Sequence, residues 1–236
     1  MILTNPAFPD VTEAWFDLAY WGEQARPVDA GGRGSAWFVD ACEHGLVLRQ
    51  YRRGGLIAKV SQRHYVFTGR KRVRSIAEFE LLEKLYELDL PVPQPVAAWY
   101  ERKGPVYHAS IIVERIPGAV TFGSVWRDLP EETWVEIGRV IRRFHDAGVH
   151  HADLNCFNIL LQGNQSVYLI DFDKGRIING STKESRWKSA NLERLARSLN
   201  RQVSIPGDES CLQRGWSVLE KFYFANQPAE APLERK

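Results

Sequence analysis

Apolar positions recur along this chain with two different periods, and the change from one to the other divides it. Residues 45–51 alternate, with Val47, Arg49 and Tyr51 sharing one side, which is the spacing of a strand. Residues 36–39 predict a second strand entered from the glycine turn Gly31-Gly-Arg-Gly-Ser35. Residues 96–100 and 107–113 predict a pair of strands about Lys103-Gly-Pro105. Between these runs, apolar residues at 76, 79, 82, 85 and 88 follow a three-and-four rhythm and predict an amphipathic helix. Leu90-Pro-Val-Pro-Gln-Pro95 stops it, because proline lacks a donor and biases its predecessor to extended backbone. A shorter helix is expected over residues 15–21, its aromatics serving as packing.

After residue 113 the turn residues Glu114-Arg-Ile-Pro-Gly118 intervene, and helical periods dominate beyond them. Pro130-Glu-Glu-Thr133 opens a helix that carries Trp134, Ile137, Ile141 and Phe144 on one face and ends at Asp146-Ala-Gly148. Apolar runs at 157–161 and 167–170, separated by Gln162-Gly-Asn-Gln165, predict a hairpin. Two closing helices are expected over 187–199 and 211–224, followed by a polar, fraying tail at 227–236. Strands first and helices after predict an α+β chain in two lobes, 1–115 and 116–236, with a cleft between them.

At 236 residues the chain is long enough for two modest lobes. Its three cysteines are odd in number and lack a C-x-x-C pair, which argues against a disulfide framework and a structural zinc site. The first ten residues hold two prolines and no long apolar run, so no signal peptide is expected, and no run is long enough for a spanning helix. A formal charge of +2 conceals an uneven distribution. From His44 to Ala77 nine Lys or Arg residues occur without one Asp or Glu. Such a block suits an anionic neighbour, either phosphate or a membrane surface.

The chemistry concentrates in His151-Ala-Asp-Leu-Asn-Cys-Phe-Asn158 and Asp171-Phe-Asp173. An Asp, an Asn five places later and a second Asp at a strand end are the parts of ATP-dependent phosphoryl transfer. Asp153 is placed as the base that takes the acceptor's hydroxyl proton, with Asn158 and Asp171 as oxygen ligands for magnesium. The hairpin brings these two together from opposite strands. His151 is expected to brace the loop, and His145 to pack with Phe144. The glycine turn, with Gly32 and Gly34, lets backbone N–H groups approach phosphate, and no G-x-x-x-x-G-K-[ST] loop is present. Arg49 stands where a strand lysine would hold the α- and β-phosphates, with Arg52, Arg53 and Lys59 as rivals, and Glu78 as its partner from the following helix. Glu114 opens the hinge expected to meet adenine.

These residues make the chain resemble the 3-deoxy-D-manno-octulosonic acid (Kdo) kinase family, within the lipopolysaccharide-kinase branch of protein-kinase-like folds. The likeness rests on Gly32-Arg-Gly34, Val47-Leu-Arg-Gln-Tyr-Arg-Arg-Gly-Gly55, Leu90-Pro-Val-Pro-Gln-Pro95, His151-Ala-Asp-Leu-Asn155 with Asn158-Ile-Leu160, and Leu169-Ile-Asp-Phe-Asp173. It implies transfer of the ATP γ-phosphate, with Mg2+, to the 4-hydroxyl of Kdo on a lipid A precursor. The expected place is the cytoplasmic face of the inner membrane, against its anionic surface, with no nucleic-acid partner. Asp153 carries over as base and Asn158 and Asp171 as magnesium ligands, while Arg49 and Glu78 follow by position. Two other readings stay open, a small-molecule kinase of the aminoglycoside or choline type and a catalytically silent nucleotide-binding scaffold.

Overall fold

The computed structural model describes residues 1–28, 36–41, 44–52, 64–163, 166–178 and 184–225. In chain order its elements are β1 (Ile2–Thr4), α1 (Leu18–Trp21), β2 (Ala25–Pro27), β3 (Ala36–Ala41), β4 (His44–Gln50), β5 (Tyr65–Val66), α2 (Arg74–Glu87), β6 (Pro95–Lys103) and β7 (Val106–Glu114). There follow β8 (Val120–Thr121), α3 (Phe122–Val125), α4 (Glu131–Asp146), β9 (Val149–His150), β10 (Ile159–Gln162), β11 (Ser166–Leu169), β12 (Arg176–Ile177), α5 (Glu184–Asn200) and α6 (Asp208–Phe224).

The first seven strands form one antiparallel sheet in the order β1-β6-β7-β4-β3-β2, with β5 also paired to β7. Alternation along each strand supplies two apolar faces. Leu46 and Leu48 of β4 and Ile112 of β7 join Phe16 and Trp21, so the short N-terminal helical turns cover one side. The opposite side, with Ile111 and Ala109 of β7, packs on Ile76, Phe79 and Leu82 of α2. Val47, Arg49 and Tyr51 therefore look across the sheet toward that helix, as their spacing predicts.

The core behind α2 runs without interruption through Leu90 and Val92 into Ile137, Ile141, Phe144 and Phe172. Each ring fully buried there contributes roughly 1.5–3 kcal/mol. The proline segment takes part as well, since Leu169 N–H donates to the Pro91 carbonyl at 3.0 Å. Beyond β7 the β10–β11 hairpin pairs Ile159 with Leu169, with β8 at its other edge. Helices α4 and α6 lie together so closely that a Cβ on Gly138 would fall 2.5 Å from the Leu219 carbonyl oxygen. Among the described residues no helix is long and apolar enough to cross a membrane. Gly32, Gly34, Arg53, Lys59, two residues of the hairpin turn and the tail at 227–236 lie outside the described residues.

Candidate active site

The loop between β9 and β10 is fastened from three directions. Asp153 N–H donates to His151 Nδ1 at 3.2 Å, and His151 Nε2 lies 2.9 Å from the Ile170 carbonyl oxygen. With Nδ1 accepting, Nε2 carries the proton, so the ring is neutral. Burial lowers the His151 pKa, the Ile170 carbonyl opposing it, in keeping with that tautomer. The histidine thus ties the loop to the residue just before Asp171. Its ring also lies 4.7 Å from that of Phe172, which stacks on Phe144 at 5.8 Å.

Asn158 Nδ2 donates to the Asp153 carbonyl at 2.9 Å, and Ile170 N–H donates to the Asn158 carbonyl at 3.0 Å. The first bond leaves Asn158 Oδ1 without a donor among the described residues. The second sets Asn158 opposite Ile170, so that Asp171 follows at the same end of the hairpin. Asp171 adopts φ +63°, the left-handed region that a short polar side chain tolerates. Departures of this kind persist where surrounding contacts over-determine them. Here they are Phe172 anchored in the core and Asp173, which pairs with Arg74 at the start of α2.

Arg49 joins the two halves. Its guanidinium donates to Glu78 of α2 and to Asp171, and Tyr51 adds its hydroxyl to the same Glu78 oxygen. Glu78 is only 3% exposed, so its charge depends on these donors. Burial pushes the Glu78 carboxyl up, with the Arg49 cation opposing and the Asp171 charge reinforcing that shift. Burial disfavours the Arg49 charge, but Glu78 and Asp171 outweigh it and its pKa lies well above the ordinary value. Burial and then the Glu78 charge raise the Tyr51 phenol, which therefore stays a donor. Among the rival cations, Arg52 instead lies over the Trp37 ring at 5.5 Å.

A second link crosses the same gap. Arg74 donates from Nε to Asp173 Oδ1 at 2.7 Å and from Nη1 to the Tyr65 hydroxyl at 2.6 Å, with its guanidinium over the Tyr51 and Tyr65 rings. Sequence reasoning placed Asp173 in the motif and Arg74 in the basic block but did not join them; residues 99 positions apart leave no local signal of pairing.

Asp153 itself is exposed, and its Oδ1 accepts from Arg194 Nη1 of α5 at 2.8 Å. Glu114 closes β7 with its N–H given to the Gln94 carbonyl at 2.9 Å, and Arg115 N–H is given to that of Gly45 at 2.8 Å. His145 differs from expectation. Its Nδ1 lies 2.6 Å from the Tyr223 hydroxyl and its ring meets Trp187 edge-on, because neighbours in sequence diverge around a helix, and Phe144 stacks instead on Phe172.

Comparison with known proteins identifies the family of the chain. Residues 18–223 match the lipopolysaccharide kinase (Kdo/WaaP) family. The chain is 46% identical over 214 residues to a 3-deoxy-D-manno-octulosonic acid kinase of Stenotrophomonas maltophilia (strain K279a), covering 88% of this chain and 82% of that one. It is 48% identical over 211 residues to the protein of the same name from Xylella fastidiosa (strain M12), with the same coverage. In three dimensions it is similar to WaaP in a complex with acyl carrier protein (TM-score 0.55, 16% identity, 96% of this chain and 92% of that one). It is also similar to the PAN3 pseudokinase of Neurospora crassa (TM-score 0.50, 14% identity, 90% and 58%). Both are likenesses of fold, and they give the sheet lobe and helical lobe a protein-kinase-like architecture. The chain belongs to the lipopolysaccharide kinase (Kdo/WaaP) family and is a phosphotransferase, with ATP as its phosphoryl donor.

Proposed function

We propose that this protein phosphorylates the 4-hydroxyl of Kdo on a lipid A precursor, Kdo-lipid IVA, in assembly of the lipopolysaccharide core. The observation that carries the catalytic part is that Asn158 and Asp171 stand at one end of the β10–β11 hairpin, with the Asp153 carbonyl bonded to the Asn158 amide and Arg49 reaching Asp171 from the sheet. The acceptor is argued from the relatives' shared name.

In this reading ATP lies between lobes 1–115 and 116–236. Gly32 and Gly34 cover its phosphates. Adenine meets the segment from Glu114 onward, where the Ile116 N–H is the donor because those of Glu114 and Arg115 are already given to carbonyls. Arg49 keeps Glu78 and turns its other arm from Asp171 to the phosphates, which its planar fork suits. Asn158 Oδ1, with no donor among the described residues, and the Asp171 carboxylate, 37% exposed, fit Mg2+, which takes one or two protein oxygens and keeps water and phosphate for the rest. When bound there, magnesium neutralises charge on the β- and γ-phosphates.

The reaction then balances simply. The acceptor oxygen bonds to the γ-phosphorus, its proton passes to Asp153, and the bond to the β–γ bridging oxygen breaks with both electrons leaving on ADP. The carboxylate of Asp153, exposed and held by its backbone, is positioned to receive that proton. Arg70, Lys71 and Arg72 form an exposed turn before α2, suited to an anionic surface at the cytoplasmic face of the inner membrane. Association with anionic vesicles that fades as salt rises is the check on that part, and binding indifferent to salt would remove it.

The decisive experiment incubates protein, ATP and magnesium with Kdo-bearing lipid A precursor and reads the product by mass spectrometry and fragmentation. Addition of one phosphate to the Kdo ring at O4 is expected. A phosphate elsewhere, or ATP consumed with the glycolipid unchanged, overturns the acceptor.

A further inference from the structure

Helix α5 runs beside the catalytic loop and spends one face on it. Asn191 Nδ2 donates to the His151 carbonyl and Ser198 Oγ accepts from Cys156 N–H, each at 2.9 Å and each buried. These two contacts fasten the loop. Between them on the same face, Arg194 reaches Asp153, and that pair is open to solvent, 46% and 56% exposed. An ion pair so exposed adds little to stability, so its placement beside the proposed base calls for a different account.

A guanidinium offers five N–H groups in a planar fork. One is used on Asp153, and among the described residues no other acceptor meets Arg194. A second cation stands close by. Arg176 of β12 is exposed, pairs in register with His150 of β9 and has no carboxylate partner among the described residues. Arg176 and Arg194 both lie near enough to His150 to oppose its protonation, after the larger effect of burial. By contrast Arg197, one turn along α5, is paired with Glu193.

We propose that Arg194, assisted by Arg176, is the subsite for a carboxylate on the acceptor, and that it makes this kinase select a sugar acid over the neutral sugar of the same shape. This rests on the acceptor reading given above. A sugar acid must bring a negative charge into a cleft that already holds Asp153, Asp171 and a triphosphate. A fixed cation on the acceptor side compensates that charge, and a planar fork shared between Asp153 and the sugar carboxylate sets the distance from base to hydroxyl. Arginine matches a carboxylate with two parallel hydrogen bonds.

The test compares the Kdo-bearing lipid A precursor with the same glycolipid after reduction of its sugar carboxyl to the alcohol. kcat/KM is measured on both for the wild type, Arg194→Gln, Arg194→Lys and Arg176→Gln. The wild type should prefer the acid by about 10- to 100-fold, the range of a charge-assisted hydrogen bond. Arg194→Gln should cut that preference at least ~10-fold, chiefly through KM for the acceptor and not KM for ATP, by loss of the same bond. Arg194→Lys should keep part of it, and Arg176→Gln should lose a smaller part. A preference unchanged in Arg194→Gln, with kcat falling alike on both acceptors, overturns the subsite and leaves Arg194 serving Asp153 alone. A wild type that hydrolyses ATP yet phosphorylates neither glycolipid overturns the acceptor reading itself, and the subsite with it.

Discussion

At the scale of single residues, two side chains carry distinct burdens. Asp153 is exposed and its side-chain pair with Arg194 is open to solvent and adds little to stability, so Asp153→Asn is expected to leave folding and ATP binding in place while turnover falls by at least ~10², the lower range for a lost general base. Single-turnover rates beside an ATP titration check this, and equal turnover would remove the role. Arg49 is the opposite case, since it compensates the buried Glu78 and the nearby Asp171. Removing one partner of a buried pair strands the other, so Arg49→Ala should cost about 3 kcal/mol, with stability recovered in part by Glu78→Gln in the same chain. Denaturant melts of the two single variants and the double variant read the coupling. Strict additivity would mean that the contact contributes nothing.

At the scale of elements, α4 and α6 show how a residue type can announce close approach. A glycine in a helix interior costs stability and marks a site where something must come near. Gly138 of α4 meets the Leu219 backbone, and Gly215 of α6 faces the Trp134 ring, at 2.3 Å from where a Cβ would sit. Gly138→Ala gains helix propensity worth about 1 kcal/mol but forces the helices apart, and overpacking of this kind costs about 1–3 kcal/mol. A fall of a few degrees in Tm is therefore expected. A rise would show that the helices separate freely. Elements of this length were legible in the sequence because their period repeats: α2, α4, β4, β6 and β7 all lie where the spacing predicts. The strands β1, β2, β5, β8, β9 and β12 were not, because two or three residues cannot display a period and each is defined by its partner. Ile2–Thr4 becomes a strand only because Ala97–Trp99 offers it an edge. The site divides in the same way. The loop and strand-end residues were visible as a spaced motif, whereas Arg74 with Asp173, Tyr51 with Glu78 and Arg194 with Asp153 are meetings of distant segments. Asp173 in its motif, Arg74 in the basic block and Tyr51 beside Arg49 on its strand were each visible, but the pairings were not.

At the scale of the whole molecule, a response to acid is expected at the joint of the closing helices. His145 of α4 is buried between Trp187 of α5 and Tyr223 of α6, and burial lowers its pKa from 6.5 to about 3. Burial likewise raises the Tyr223 phenol to about 12, so that its hydroxyl stays protonated beside the imidazole. The sign follows from which state binds the proton. Above pH 6.5 the ring is neutral folded or unfolded, and its titration contributes nothing. Below that value the unfolded chain takes up a proton that the folded chain refuses, so stability drains away as pH falls from 6.5 toward 3. Between pH 7 and pH 5 the loss from this one group is about 2 kcal/mol, at 1.36 kcal/mol per unit. His150 and His151, also lowered by burial, act in the same direction and leave a residual slope. His145→Gln keeps a polar partner for Tyr223 and removes the titration, so its denaturation midpoint should move with pH distinctly less than that of the wild type over this interval. Parallel curves for the two proteins would place the acid sensitivity elsewhere and would require that water reach the imidazole in the folded state.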